Sequence, residues 1–246
     1  MGKWENGCIC YEAEAIIEEE VSGSIGSMDD IALSEKDLNT AAKNEKADKI
    51  KEKFWSGETI INRDAYVQIR MIQETDKSKF IELQKEVYTM RSMLQDEEYQ
   101  DMMWNEYVHG RSMMFTIEAD GEYAGYCGIN NVFQENWEIA IELLKKFRQK
   151  GIGYTAIKIM LSEIKARLGV DKFRVKIAYD NFASQRLFEK LGATPYGIAE
   201  YMLHKEDDIA RCEKENIDER FVQMAEKFGV EPRKLFCHAL EYELEW

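Results

Sequence analysis

The sequence predicts an α/β (α+β) fold, and three stretches carry that expectation. Residues 137–144 (WEIAIELL) are an apolar run of strand length, and beyond them Ile157, Met160, Leu161, Ile164 and Leu168 recur on one helical face. Residues 172–179 alternate as a second strand and lead directly into a helix over 181–191. Between two further alternating runs, 114–119 and 122–132, Asp120-Gly121 is a two-residue hairpin signal.

In chain order, residues 1–64 are expected to form an acidic, partly helical extension and residues 65–246 the main domain. Within the extension, 21–27 (VSGSIGS) has the composition of a linker. Ser34 with Asp37 three residues on is a weak variant of a capping box. A helix over 35–55 would place Leu38, Ala41, Ala42, Ile50 and Phe54 on one side before Ser56-Gly57 stops it. Residues 66–72 (YVQIRMI) alternate as the first strand of the domain. One helix follows Asp76 to about residue 94, and another runs over 96–107. Their large side chains (Tyr88, Met90, Met93, Tyr99, Met102, Met103, Trp104, Tyr107) suit either core packing or an acceptor pocket.

After the hairpin and the segments already named, residues 194–203 read as another strand. Residues 206–228 are charged and helical and end at Gly229, with Pro232 beyond, which makes them an inserted helix. In the tail Leu240, Tyr242, Leu244 and Trp246 alternate with glutamates as a half-buried final strand.

The net charge is −14, and half of it lies in residues 1–30, where eight acids face only Lys3. This balance argues against nucleic acid as a partner and mildly favours cationic substrates. No apolar run approaches the roughly 18 residues of a membrane span. The N-terminus also lacks the basic-then-apolar signal pattern, so no membrane association and a cytoplasmic location are expected. Of the five cysteines only Cys8 and Cys10 are close, and a C-x-C without a second pair is not a zinc pattern. No metal is expected.

The segment Arg148-Gln149-Lys150-Gly151-Ile152-Gly153-Tyr154-Thr155 joins the 137–144 strand to the long helix. Glycines there allow a sharp bend and close approach of a ligand to the main chain. The helix start leaves N–H groups without partners at the positive end of its dipole, which suits a phosphate or pyrophosphate. It is not a Walker A loop, for no Gly-Lys-Ser/Thr follows at the needed distance, nor a G-x-G-x-x-G fingerprint, since position 156 is Ala.

What remains, R-x-x-G-x-G, resembles the acyl-CoA-binding motif of the GNAT superfamily of N-acetyltransferases. The strand 172–179 followed by Asn181, Ser184, Leu187, Phe188 and Lys190-Leu191-Gly192 resembles a second motif of that family, in the same order and at the same separation. Arg70 likewise resembles the central arginine of the family's opening strand. The resemblance implies a GNAT fold: a central mixed, mostly antiparallel sheet, split at a bulge and flanked by helices. It implies acetyl-CoA as co-substrate and a small-molecule or protein amine as acceptor. The pyrophosphate would lie over the amides of Gln149, Lys150, Gly151, Ile152, Gly153, Tyr154 and Thr155, with Arg148 and Lys150 adding positive charge. The pantetheine arm would run along Glu142, Leu143 and Leu144, and an N–H near Leu143 or Leu144 would donate to the oxyanion. Asn181 and Ser184 would meet the arm from the other side, or cap the helix, or both.

Deprotonating the amine calls for a carboxylate. Glu138 and Glu142 share one parity of the strand, and Glu138, further from the pantetheine track, is the preferred base. One departure stands out. Where many members carry a tyrosine proposed to protonate the leaving thiolate, this chain has Phe188, with Tyr179 and Tyr154 as the substitutes. An alternative from another class is therefore a catalytically inactive acyl-CoA-binding sensor or partner-binding module on the same fold. A nucleotide-binding protein unrelated to CoA is a third reading. The extension leaves oligomerisation open.

Overall fold

The computed structural model describes residues 35–56, 58–62, 66–87, 92–133, 135–200, 209–210, 213 and 217–246. Cys8, Cys10, the 21–27 linker, Ser34, Tyr88 and Met90 lie outside them. In chain order the elements are α1 (Glu35–Phe54), β1 (Ile60–Asn62), β2 (Val67–Arg70), α2 (Lys77–Val87), α3 (Glu97–His109), β3 (Met113–Ala119), β4 (Glu122–Ile129) and β5 (Trp137–Leu143). There follow α4 (Ile152–Leu168), β6 (Lys172–Ile177), α5 (Phe182–Lys190), β7 (Thr194–Glu200), α6 (Glu219–Lys227) and β8 (His238–Glu245). Among the described residues no helix is long and apolar enough to cross a membrane.

The strands form one open sheet in the order β1-β2-β3-β4-β5-β6-β8-β7, antiparallel except where β5 meets β6. The hairpin between β3 and β4 turns at Asp120 (φ 53°) and Gly121 (φ 77°), the two left-handed residues that such a tight loop demands. Further along the hairpin the register shifts: Ile117 faces Gly125 but Glu118 faces Tyr123, leaving Ala124 as an extra residue. Tyr123 and Tyr126, three apart, are thereby brought to the same face of the sheet.

One face carries α1 and α4. Phe54 is fully buried and its ring lies edge-on to Phe115 of β3, at 5.1 Å between centroids. Arg167, near the end of α4, donates from Nη1 to the Phe54 carbonyl (2.8 Å) and from Nε to Glu163 (2.7 Å), and pairs with Glu58. Its guanidinium also sits 5.0 Å from the Phe54 ring centroid. The described part of the extension, α1 and β1, thus shares the core and the sheet with the rest of the chain. β1 is a strand the sequence reading did not predict. The helix expected over 206–228 is present as α6, capped by Asp218, whose carboxylate accepts from Phe221 N–H (2.8 Å). Phe221 stacks on Phe236 and meets Tyr179 edge-on, at 4.7 and 5.3 Å.

The other face carries α2 and α3. Phe80, Ile81, Trp104 and Tyr107 form a small core of their own against Tyr126 of β4. Trp104 and Tyr107 are therefore packing residues, whereas Met93 and Met102 are exposed. The entry to α2 is fixed by a buried charge cluster. Arg70 donates from Nη1 and Nη2 to the two oxygens of Asp76 (2.8 and 2.7 Å) and from Nε to Glu118 (2.6 Å). Asp76 also accepts from the Gln73 N–H and the Thr116 hydroxyl, both at 2.9 Å.

Burial alone would raise the Asp76 pKa, but the hydrogen bonds from Arg70, Gln73 and Thr116 outweigh it and hold the carboxyl below its usual value. In acid the unfolded chain binds the more protons. The stabilisation is therefore complete above the unfolded value, about 3.9, and is lost as pH falls through the lower folded value. Asp76→Asn should cost about 3 kcal/mol at neutral pH, as expected for breaking a buried pair. It should also flatten the fall of the urea midpoint below about pH 4. Urea titrations of both proteins from pH 7 downward check both effects; equal midpoints at neutral pH would remove Asp76 as the anchor of α2.

Candidate active site

Strand β5 has one edge fully paired and one that opens. Toward β4 the register is regular from Ile129↔Ile139 to Gly125↔Leu143. Asn130 N–H donates to Glu138 O (2.9 Å) and Leu144 N–H to Ala124 O (3.0 Å). Main-chain groups alternate sides along a strand, so residues 138, 140, 142 and 144 bond to β4, and Ile139, Ile141 and Leu143 point theirs toward β6. β6, however, pairs with β5 only at Trp137↔Phe173 and Glu138↔Arg174 before it is carried away by β8. The main-chain groups of Ile141 and Leu143 therefore face a gap. Such a gap offers strand-like hydrogen bonds to a ligand containing amides.

The open edge leads into the glycine turn. Arg148 folds back over it, Nε donating to Leu143 O (2.7 Å). Gln149 (φ 60°) and Gly151 (φ 82°) are both left-handed, and the first helical bond of α4 runs from Thr155 N–H to Gly151 O (3.0 Å). The N–H groups of Ile152, Gly153 and Tyr154 precede any carbonyl one turn back, so they point out of the helix end without intrahelical partners. Left-handed positions beside such amides make an anion-binding concavity.

The two glycines act differently. At Gly151 a side chain would meet nothing within 4 Å, and glycine is favoured there by its backbone angle. Gly153 is buried, and a Cβ there would lie 3.2 Å from Ile141 Cδ1, 3.5 Å from Leu143 Cδ1 and 3.7 Å from Leu187 Cδ2. It is small so that α4 can lie on β5 and α5; that packing corrects the expectation that it stays small for the ligand's sake. A second correction concerns Leu144. Its N–H is held by Ala124, so of the two expected oxyanion donors only the Leu143 N–H faces the gap.

The two candidate carboxylates lie on the α2 face in different surroundings. Glu138 is ion-paired to Lys176 (2.7 Å), accepts from Asn130 Nδ2 (2.8 Å), and lines a cleft of about 180 Å³ with Arg174 and Glu241. Glu142 sits beneath α2. It accepts from Gln84 Nε2 (2.9 Å) and hydrogen-bonds Tyr126, its cross-strand neighbour. Burial raises its pKa, an effect that these hydrogen bonds and nearby Arg148 only partly offset. Burial and the Glu142 carboxylate likewise raise the Tyr126 pKa, keeping the phenol protonated.

On the opposite wall Asn181 caps α5, its Oδ1 accepting from Ser184 N–H (3.1 Å). Gln185 Nε2 donates to Tyr179 O (2.8 Å) and so braces the loop after β6. Phe188 is fully buried in the core. Of its two suggested substitutes, Tyr179 packs among the aromatics of α6 and Tyr154 stands on the first turn of α4, its ring beside Lys190. Residues missed from the sequence are Ile141, whose main chain shares the open edge, and Tyr126 and Gln84, which hold Glu142. The strict period of β5 could have marked Ile141 as the partner of Leu143. Nothing local announced the other two. Among the described residues no group of three or more His, Cys, Asp or Glu could hold a metal ion.

Comparison with known proteins places this geometry. Residues 66–194, more than half of the chain, match the family model "Acetyltransferase (GNAT) domain". A putative ribosomal protein bS18-alanine N-acetyltransferase of Bacillus subtilis (strain 168) is 28% identical over 103 residues, 42% of this chain and 65% of that protein. The chain thus spans somewhat less than two thirds of that relative's length. The solved structure of RimL, the ribosomal L7/L12 alpha-N-protein acetyltransferase, in complex with coenzyme A superposes with a TM-score of 0.54. It is 15% identical, and the match covers 76% of this chain and 97% of that one. The microcin C7 self-immunity acetyltransferase MccE, in complex with acetyl-CoA and AMP, gives 0.51 at 14% identity, over 74% and 94%. At such identities these structures share the fold. With its open β5 edge, its glycine turn and a family model matched over residues 66–194, the chain belongs to the GNAT acetyltransferase domain family.

Proposed function

We propose that this chain is an N-acetyltransferase that moves an acetyl group from acetyl-CoA to a primary amine. The observation that carries the proposal is the continuity of the open β5 edge with the uncapped first turn of α4. An amide-containing arm and a pyrophosphate need those two features side by side, and both are made by main chain. Acetyl-CoA supplies the activated acyl group. Ile141 and Leu143 would hold the arm, with the Leu143 N–H as the donor toward the acyl oxygen. The amides of Gln149, Lys150, Gly151, Ile152, Gly153, Tyr154 and Thr155 would hold the phosphates, assisted by Arg148 and Lys150. Asn181 and Ser184 form the facing wall.

For the base, the two carboxylates separate. Glu138 is engaged by Lys176 and Asn130 at the point where β5 and β6 still pair. Glu142 lies beside the gap, is oriented by Gln84 and Tyr126, and has an enhanced affinity for a proton. We assign proton removal to Glu142. The relatives named for ribosomal proteins make the α-amine of a protein N-terminus the first acceptor class to test, ahead of small-molecule amines.

Millimolar acetyl-CoA should raise the melting temperature of the native protein. At 100 times Kd the gain is about 2.7 kcal/mol, or several degrees for a domain of this size. Gly151→Asp should fold, since Asp tolerates a left-handed backbone and its side chain enters open space. It should also lose the shift, because it sets a carboxylate at the phosphate turn. A shift retained by Gly151→Asp would remove the turn from the site.

In a thiol-release assay with N-terminal peptides, Glu142→Gln should lower kcat by roughly 10²-fold or more, and Glu138→Gln by far less. The acidic limb of kcat/KM, rising with pH as Glu142 loses its proton, should vanish in Glu142→Gln while the limb set by the acceptor amine stays. The reverse order of the two variants would return the role to Glu138. Binding without turnover of any amine would favour the inactive acyl-CoA-binding module.

A further inference from the structure

Just beyond the phosphate turn, three cationic or aromatic side chains gather with no carboxylate among them. Tyr154 is the third residue of α4, Lys158 lies one turn on, and Lys190 ends α5. The ammonium of Lys190 is 4.5 Å from the centroid of the Tyr154 ring and that of Lys158 is 5.5 Å from it, so the two lie within 10 Å of each other. Cation–π attraction accounts for one lysine on the ring. It does not account for a second, which meets the first as a like charge.

The surroundings sharpen the point. The chain has 47 acids against 33 lysines and arginines. Neighbouring cations are neutralised: Lys146 pairs with Glu122 (2.5 Å), and Lys227 takes Glu189, the residue next to Lys190. Among the described residues Lys150, Lys158 and Lys190 pair with no carboxylate. An exposed tyrosine face flanked by two unneutralised ammoniums fits a planar base and a phosphomonoester. Lysine binds phosphate as a point charge, and a phosphomonoester carries nearly two negative charges at neutral pH.

We propose that Tyr154, Lys158 and Lys190 form a subsite for the base and the 3′-phosphomonoester of the CoA nucleotide, so that the chain distinguishes CoA from 3′-dephospho-CoA. The proposal rests on the cofactor assignment above and adds to it: the turn amides take the pyrophosphate that both nucleotides possess, whereas the lysines take the phosphate that only one possesses.

Isothermal titration calorimetry with CoA and with 3′-dephospho-CoA tests this on wild type, on Lys158→Gln/Lys190→Gln, and on Lys172→Gln, an exposed lysine at the far end of the parallel strands. Wild type and Lys172→Gln should bind CoA roughly tenfold more tightly, as expected for two exposed ion pairs. The preference should weaken with added salt. The double variant should bind both nucleotides alike, at the affinity wild type shows for 3′-dephospho-CoA. Equal binding of the two by wild type, or a preference that survives in the double variant, overturns the subsite. Binding of neither nucleotide by wild type sinks the cofactor assignment itself, and the subsite with it.

Discussion

A strand that pairs with both neighbours along its whole length offers a ligand nothing but side chains; β5 is instead paired on both sides for two residues and then on one. The divergence has physical causes on both flanks. β6 is held by β8 over six register pairs from Lys172 to Ile177, and β8 in turn by β7. On the other side β5 approaches β4 so closely that a Cβ at Gly125 would lie 2.1 Å from Glu142 O and 2.9 Å from Leu143 Cα. Each half of the sheet satisfies its own hydrogen bonds, and the unsatisfied groups are left on the facing edge. Buried main-chain groups demand partners. The polar arm of an acyl thioester is a partner of the right kind, and its phosphates then fall where α4 begins.

The α2 face is organised by a row of polar residues that crosses four strands. Arg70 stands opposite Thr116, Thr116 opposite Tyr126, and Tyr126 opposite Glu142. Asp76 joins the first two and fixes the start of α2, and Gln84, two turns along that helix, reaches down to Glu142. The orientation of the proposed base therefore depends on a charge cluster three strands away. The register shift in the β3–β4 hairpin adds Tyr123 to this face. The hydroxyls of Tyr107 and Tyr123 are buried there without a protein partner. Unpaired buried hydroxyls cost stability, and buried water at this face would relieve them.

What the sequence made legible was local chemistry. Asp120-Gly121 has few choices other than a tight hairpin, and Gly151 before an amphipathic helix has few other than a left-handed turn. Asn181 and Asp96 cap the helices that they precede for the same reason. Illegible were relations set by a distant partner. Period two along β5 separates Glu142 from Leu143, but it does not say which set of amides faces β4; one bond, Leu144 N–H to Ala124 O, decides that. Glu138 and Glu142 have the same parity and nearly the same neighbours in sequence. They differ because Lys176 meets one and Gln84, 58 residues upstream, meets the other. Gly153 was misread likewise, since its crowding comes from Leu187 and from the strand beneath.

The electrostatics of the proposed reaction set opposite demands on the two sides of β5, and the fold meets them separately. The co-substrate is a polyanion, yet the chain is acidic; the answer is local, with helix-end amides and Arg148, Lys150, Lys158 and Lys190 at one end of the gap. The acceptor is a cation until it gives up a proton, and the α2 face meets it with carboxylates. How strong the base must be depends on the acceptor. A lysine side chain, of pKa about 10.4, is free base in fewer than about one molecule in a thousand at neutral pH, whereas an α-amine near 7.7–8.0 is free in roughly one in ten. A single carboxylate, buried enough to hold a proton more tightly than usual and tied to a protonated tyrosine, is adequate for the second task and weak for the first. The same environment that places Glu142 out of water therefore favours an α-amine over a lysine side chain as the acceptor.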